Sequence, residues 1–439
     1  ATPAALTPSV TRAVKLTYAQ SMLGAVFAAS TGGMFLIGYA LKLGADNVRI
    51  GLLSTVPMCC VVMQLVSAAL IEHGVSRRKM TIVAMLLSVL GWALAIAIPV
   101  LARGPLANWR VEILIAIIAL VTLMANMANN ARASWVGDLI PESFRNTFFG
   151  RIIMYGSIIG VVFALVEGRF LDVVKSHGVG AFGLLFGFGM LFGLATVLLF
   201  LPQPDAPLAR HASGGRFFIL VKETFANRPL MIVLLFALLW SLQTMAGPFY
   251  ATYMLRDLGM PFLGVGIVNA VTALVMIACS PFWGRIIDRY GCRPVLVAST
   301  FAIVPLPLVW IWMTSPLRIY LVVLPLNILV GFAIAGFSVA LNTLIYKVTS
   351  STGRSVQLAV YSILVTLAAA PMPVLGGLLP KACEHFGLHT DLRVTFLATI
   401  PLVLLAGLAA LRIPDPASCH TRDLVRALPG HLCRPKSVQ

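Results

Sequence analysis

Gly180–Leu201 reads GAFGLLFGFGMLFGLATVLLFL and holds no charged residue. At 1.5 Å per helical residue such a run is about 33 Å long, enough to cross the roughly 30 Å hydrocarbon core of a bilayer. Backbone amides find no water there, so the run has to be a helix that closes its hydrogen bonds internally. Runs of the same kind recur in both directions from it, between Leu16 and Arg412. The pattern predicts twelve spans, at 17–42, 49–72, 79–101, 110–137, 147–171, 180–201, 229–256, 262–287, 294–314, 318–347, 354–380 and 392–412.

Composition agrees. The chain is 59% hydrophobic and 11% charged, against roughly 25% charged in a soluble domain, which excludes a water-soluble fold. The polar stretch Ala1–Tyr18, with Arg12 and Lys15, leads straight into the first span, so no cleavable signal is expected. The formal net charge of +17 is a topology device. With both termini cytoplasmic, about 22 of the 32 Lys and Arg fall inside, as the positive-inside rule requires. Arg77-Arg78-Lys79, the set Arg285, Arg289 and Arg293, and Arg422, Arg426, Arg434 and Lys436 in the tail are the inside clusters. The expected partner of this charge is a lipid surface, not nucleic acid. Cysteines in apolar spans (Cys59, Cys60, Cys279) behave as small hydrophobes, and no structural disulfide is expected.

The longest polar stretch between spans divides the chain six and six. We read residues 1–201 as an N-terminal six-helix bundle, 202–228 as a cytoplasmic linker, 229–412 as a C-terminal six-helix bundle and 413–439 as a cytoplasmic tail. Local similarity supports an internal repeat. Arg145-Asn-Thr-Phe-Phe-Gly150 follows the fourth span and Arg354-Ser-Val-Gln-Leu-Ala359 follows the tenth, while Asn130 has Asn342 as a rough counterpart.

The eighth span ends in Gly284-Arg285-Ile286-Ile287-Asp288-Arg289-Tyr290-Gly291-Cys292-Arg293. Gly284 allows close helix approach, Asp288 can accept from a neighbouring helix N-terminus, Gly291 permits a tight turn, and Arg289 and Arg293 can latch helix ends. The stretch resembles the conserved loop of the major facilitator superfamily, G-x-x-x-D-R-x-G-x-R/K. In the first half the same loop is degenerate: Glu72 stands at the Asp position, His73 at the first basic position and Ala68 at the leading Gly, with Arg77 and Arg78 retained. Trp135-Val-Gly-Asp138-Leu-Ile-Pro141-Glu142, followed by Arg145 and Phe148-Phe149-Gly150-Arg151, resembles a pattern in some bacterial members, W-x-x-D-L-x-P-E-x-x-R-x-x-F-F-G-x-R, with the last Arg one place early. Asp138 can pair with the Arg77/Arg78 cluster and hold one end of a pore shut.

The resemblance runs the length of the chain. It implies an all-α membrane protein with the superfamily fold, two six-helix bundles related by pseudo-twofold symmetry around a cavity of alternating access. It implies a monomeric secondary transporter, a symporter or antiporter in a bacterial inner membrane. It would take a small-molecule substrate, with protons as a candidate second partner and no cofactor.

Polar side chains inside spans carry the rest, because placing them in lipid is costly. The fourth span holds Asn126, Asn129, Asn130 and Arg132, with Asn126/Asn130 and Asn129/Arg132 each sharing a face. Trp240 and Gln243 lie in the seventh span and Asn327 in the tenth; by resemblance, spans 1, 4, 7 and 10 line the cavity. These seven are the candidate substrate-binding residues, and interhelical glue at about 0.6 kcal/mol each is the competing reading. Arg132 suits an anionic substrate, or snorkels, or pairs with Asp138. The paired central basic residues of an organic-phosphate antiporter do not occur. Glu167 is the carboxylate placed well inside a span and is the candidate for proton coupling, with Arg169 as an alternative ion-pair partner. The gating candidates are Glu72, Arg77, Arg78, Asp138, Arg145, Gly284, Asp288, Arg289, Gly291 and Arg293.

Gly32-Gly33 in the first span allow close packing or a break, and Pro371, Pro373, Gly376 and Gly377 in the eleventh predict a kink. Cys383, His385 and His389, and Cys419-His420 with His431 and Cys433, do not fit a zinc spacing, and no metal site is assigned. No nucleophile elbow, phosphate loop or zinc-protease motif occurs, so no catalysis is expected. A non-transporting receptor on the same fold is the rival reading; metal or metal-chelate transport is a third.

Overall fold

The computed structural model describes residues 8–140, 142–174, 178–204, 222–349, 354–385 and 391–415. Most of the linker and tail, including Cys419, His420, His431 and Cys433, lie outside the described residues, as do His389 and the side chains of Arg145 and Arg354.

Twelve helices are long and apolar enough to cross a membrane. They are α1 (Val10–Lys42), α2 (Asn47–Glu72), α3 (Arg77–Leu101), α4 (Gly104–Leu139), α5 (Phe148–Val173) and α6 (Val179–Phe200) in the first half. The second half has α7 (Arg228–Asp257), α8 (Phe262–Tyr290), α9 (Cys292–Ile311), α10 (Pro316–Val348), α11 (Val356–His385) and α12 (Arg393–Ala410). No strand occurs among the described residues. Leucine and valine dominate the exposed faces, as a lipid-facing surface requires, and Trp109 and Trp312 stand exposed near helix ends, where headgroups lie.

Several helices are interrupted, each for a local reason. The backbone of α1 breaks at Gly33, which takes a φ of +52°. The helix of α11 stops at Ala369 and restarts at Met372, around Pro371. Pro305 divides α9, because proline has no N–H for the carbonyl one turn back. A π turn over Ile319–Val323 precedes Pro325 in α10 and absorbs the same missing hydrogen bond. In α7 a 3₁₀ turn covers Leu242–Ala246.

Packing repeats with a period of six helices. The pairs α1–α5, α1–α6, α3–α4 and α3–α6 recur as α7–α11, α7–α12, α9–α10 and α9–α12. The loops repeat too. Gly74 (φ +94°) precedes α3 and Gly291 (φ +87°) precedes α9, each in a conformation that favours glycine. At the second position of α3, Arg78 donates to the carbonyl of Leu201 at 2.5 Å; Arg293, at the second position of α9, donates to Leu411 at 2.6 Å. Each arginine thereby satisfies a carbonyl at a helix C-terminus.

Two compact units emerge from the contacts. The first comprises Ala1–Ala212, Pro248–Ile267 and Pro373–Leu378; the second comprises Ser213–Gly247, Val268–Met372 and Leu379–Gln439. In the first, Asp172 at the end of α5 caps the start of α8, its carboxylate accepting from the amides of Phe262 (2.8 Å) and Leu263 (2.9 Å). The negative charge sits on the positive end of the helix dipole. Gly51 of α2 lies against the backbone of Pro373 and Val374, and Gly377 lies against Asn47 and Val48. One glycine on each helix lets the two backbones approach, as small residues do in membrane helix pairs generally.

The second unit packs around Trp283, 2% exposed, whose indole donates to the carbonyl of Phe332 at 2.8 Å. Asp415, just past α12, accepts from the amides of Cys292 (2.7 Å) and Arg293 (3.3 Å) and so caps α9. Asp415→Ala should therefore lower stability by about 1 kcal/mol. Thermal unfolding in detergent checks this, and an unchanged transition would show that the cap carries no weight.

Candidate functional site

Glu167 is 3% exposed. Its Oε1 lies 2.5 Å from Ser30 Oγ on α1, and its Oε2 is buried without a hydrogen-bond partner. Ser30 Oγ also lies 2.9 Å from the carbonyl of Val26. A hydroxyl has one proton for these two acceptors. With a proton on Glu167, a continuous chain forms: the carboxyl donates to Ser30, and Ser30 donates to Val26. Without it, Ser30 turns to the carboxylate and releases Val26. Ser30 is thus the partner of Glu167, and among the described residues no ion pair to Arg169 occurs.

The two faces of α4 do different things. Asn126 accepts from Gln64 Nε2 at 3.0 Å and donates to the carbonyl of Thr122; Asn130 donates to the carbonyl of Gln64 and to Ser67 Oγ, both at 3.2 Å. This face fastens α4 to α2. The other face, with Asn129 and Arg132, lines a cavity of about 430 Å³ inside the first unit. Hydroxyls of Ser21, Thr31, Thr81, Ser88, Thr122 and Thr196 and the amide of Gln20 line it too, with Phe27, Trp92 and Phe200 as aromatic walls. Among the described residues Arg132 is the one charged group in the lining.

Most of these hydroxyls escaped the sequence reading. Thr31, Thr81 and Thr196 each donate to the carbonyl four residues back, so they rest in an apolar helix without a partner elsewhere. No pattern marks them.

In the second unit, Trp240 stacks on Phe337 with ring centroids 4.1 Å apart, and Asn327 donates to the carbonyl of Val268 at 3.0 Å. Gln243 sits half-buried in the 3₁₀ turn of α7. Trp240 and Asn327 are therefore engaged in helix packing.

The sequence pattern of the Major Facilitator Superfamily matches residues 18–250 and again 232–435. The chain belongs to that superfamily. Solved structures share its fold: a variant of the nucleoside transporter NupG (TM-score 0.73, 14% identity, 92% of this chain and 100% of that one) and a D-xylose–proton symporter (0.69, 12%, 94% and 99%). A bacterial homolog of the human lysosomal transporter Spinster, inward-facing and unoccupied, is similar as well (0.67, 15%, 96% and 98%). No curated protein sequence matches.

The superfamily loop is now visible residue by residue. In the first half, Arg77 is 4% exposed, and its Nη1 donates to Asp138 Oδ2 (2.5 Å), Ser134 Oγ (3.0 Å) and the carbonyl of Ser134 (3.3 Å). Glu72 is exposed and forms no hydrogen bond among the described residues. In the second half, Gly291 makes the tight turn, and Arg289 lies over the Tyr290 ring at 5.5 Å. Asp288 is exposed and caps nothing among the described residues, since Asp415 already holds the N-terminus of α9. A Cβ on Gly284 would meet nothing within 4 Å, so no helix crowds it in this arrangement. Among the described residues no group of three His, Cys, Asp or Glu side chains could hold a metal ion.

Proposed function

We propose that this secondary transporter moves a small organic solute across the membrane by alternating access and couples that movement to protons at Glu167. The observation that carries the coupling is a buried carboxyl with no ion pair among the described residues and a hydroxyl that serves it in either protonation state. Burying a charge without a partner is costly, so exchange of a proton at this position changes the energy of the surrounding helices. The D-xylose–proton symporter of similar fold is, by its name, proton-coupled. The distribution of Lys and Arg supports cytoplasmic termini in a bacterial inner membrane, with residues 1–201 and 229–412 as the two bundles.

Alternating access needs contacts that hold one end shut and then part. The Arg77–Asp138 pair is our candidate for such a latch at one end, and the Gly51/Gly377 approach with the Asp172 cap for another. Asp138 is 52% exposed but Arg77 only 4%. Asp138→Asn keeps an oxygen for the buried guanidinium but not its counter-charge, and should cost about 1–3 kcal/mol of stability while reducing solute flux several-fold. Equal losses of flux and folded yield would make the pair structural only.

Uptake of labelled solutes into sealed proteoliposomes tests the transport reading itself. A panel of nucleosides, pentoses, amino acids and monocarboxylates serves. Label that accumulates and escapes on permeabilisation supports transport. Label that stays bound after permeabilisation supports a receptor instead.

A further inference from the structure

Arg132 presents a cation to a partly open cavity of mixed lining and has no counter-charge among the described residues. Among the described residues it makes neither a hydrogen bond nor an ion pair. The nearest acid on its own helix, Asp138, is held by Arg77 at 2.5 Å, and Glu167 is served by Ser30. Nor is Arg132 turned to lipid, because its side chain lines the 430 Å³ cavity among α1, α3, α4, α5 and α6. An unbalanced charge inside a membrane helix is costly, and such residues mark a ligand or a partner.

We infer that this cavity binds a small organic carboxylate, with its anionic group on Arg132. This deepens the transport reading by naming its solute class, and rests on it only for what happens after binding. A guanidinium meets a carboxylate through two parallel N–H donors, and that geometry selects the group as well as its charge. Asn129, one turn earlier on the same face, makes no hydrogen bond among the described residues and is free to donate to the same group. A single cation in the lining favours a monoanion over a phosphate dianion. Trp92, Phe27 and Phe200 provide an apolar wall for the body of the solute, and the volume lies within the range of small-molecule pockets. The site differs from the one expected at the interface of the bundles: its lining lies wholly within the first unit.

The test is equilibrium dialysis of the purified full chain with lactate, benzoate and indole-3-acetate, each against its primary amide. At least one carboxylate should bind at least about tenfold more tightly than its amide. Arg132→Gln should abolish that preference, Arg132→Lys should restore part of it, and Asn129→Leu should weaken carboxylate binding while the melting temperature reports folding. Amides that bind as well as carboxylates, no carboxylate binding at all, or full affinity in a folded Arg132→Gln protein would overturn the assignment. Flux separates the two readings. Carboxylates that bind but never enter sealed vesicles leave the site standing and remove transport. A neutral solute carried alike by wild type and Arg132→Gln, with no carboxylate bound by either, leaves transport standing and removes the site.

Discussion

Gly377→Ala destabilises the protein by about 1–3 kcal/mol, although alanine is the better helix former. The added Cβ falls on the carbonyl of Asn47, which is backbone and cannot rotate aside. Gly51→Ala meets the carbonyl of Pro373 in the same way, and the double variant is the most severe. Gly187→Ala is the control. Nothing lies within 4 Å of its Cβ, so the loss of backbone freedom in the unfolded chain should stabilise by roughly 0.5–1 kcal/mol. Thermal unfolding of the four proteins gives the signs. If the α2–α11 approach is also a gate, flux falls in Gly377→Ala and Gly51→Ala but not in Gly187→Ala. A neutral Gly377→Ala would mean that the two backbones do not approach as described.

Glu167→Gln should abolish accumulation driven by a pH gradient, a loss of at least about tenfold, while exchange of internal for external solute continues. Glutamine keeps the shape and a partner for Ser30 but has no proton to exchange. The variant should fold as well as the parent, because it replaces a buried carboxyl with no ion pair among the described residues. Ser30→Ala is the complement. It strips Oε1 of its partner and should cost about 1–3 kcal/mol. Unchanged accumulation in Glu167→Gln would end the coupling role.

The spans were legible because lipid leaves the chain so little choice. An uncharged run such as Gly180–Leu201 reads as a helix from length alone, and Gly284 to Arg293 carried the family. Gly33 left a break open and Pro371 announced one. The π turn before Pro325 was not announced, because proline states that a hydrogen bond is missing but not how the helix adjusts. Side-chain partners were less legible, since they depend on distant pairs. Nothing local links Asp172 to Phe262 or Asp415 to Cys292. The spacing in α4 separated a face of Asn126 and Asn130 from one of Asn129 and Arg132, but did not tell which face meets Gln64 and which the cavity. Ser30 was hidden for the reason that hides the threonines: a hydroxyl that bonds its own helix costs little in lipid and leaves no trace in hydropathy.

The most direct measurement is internal pH in proteoliposomes that enclose a pH-sensitive dye, recorded as each solute of the panel is added to wild-type and Glu167→Gln vesicles. The variant corrects for passive leakage. A solute that moves protons in wild-type vesicles alone, while both proteins exchange preloaded solute at the same rate, is the predicted result. Identical proton traces for every solute that crosses would contradict proton-coupled transport through Glu167.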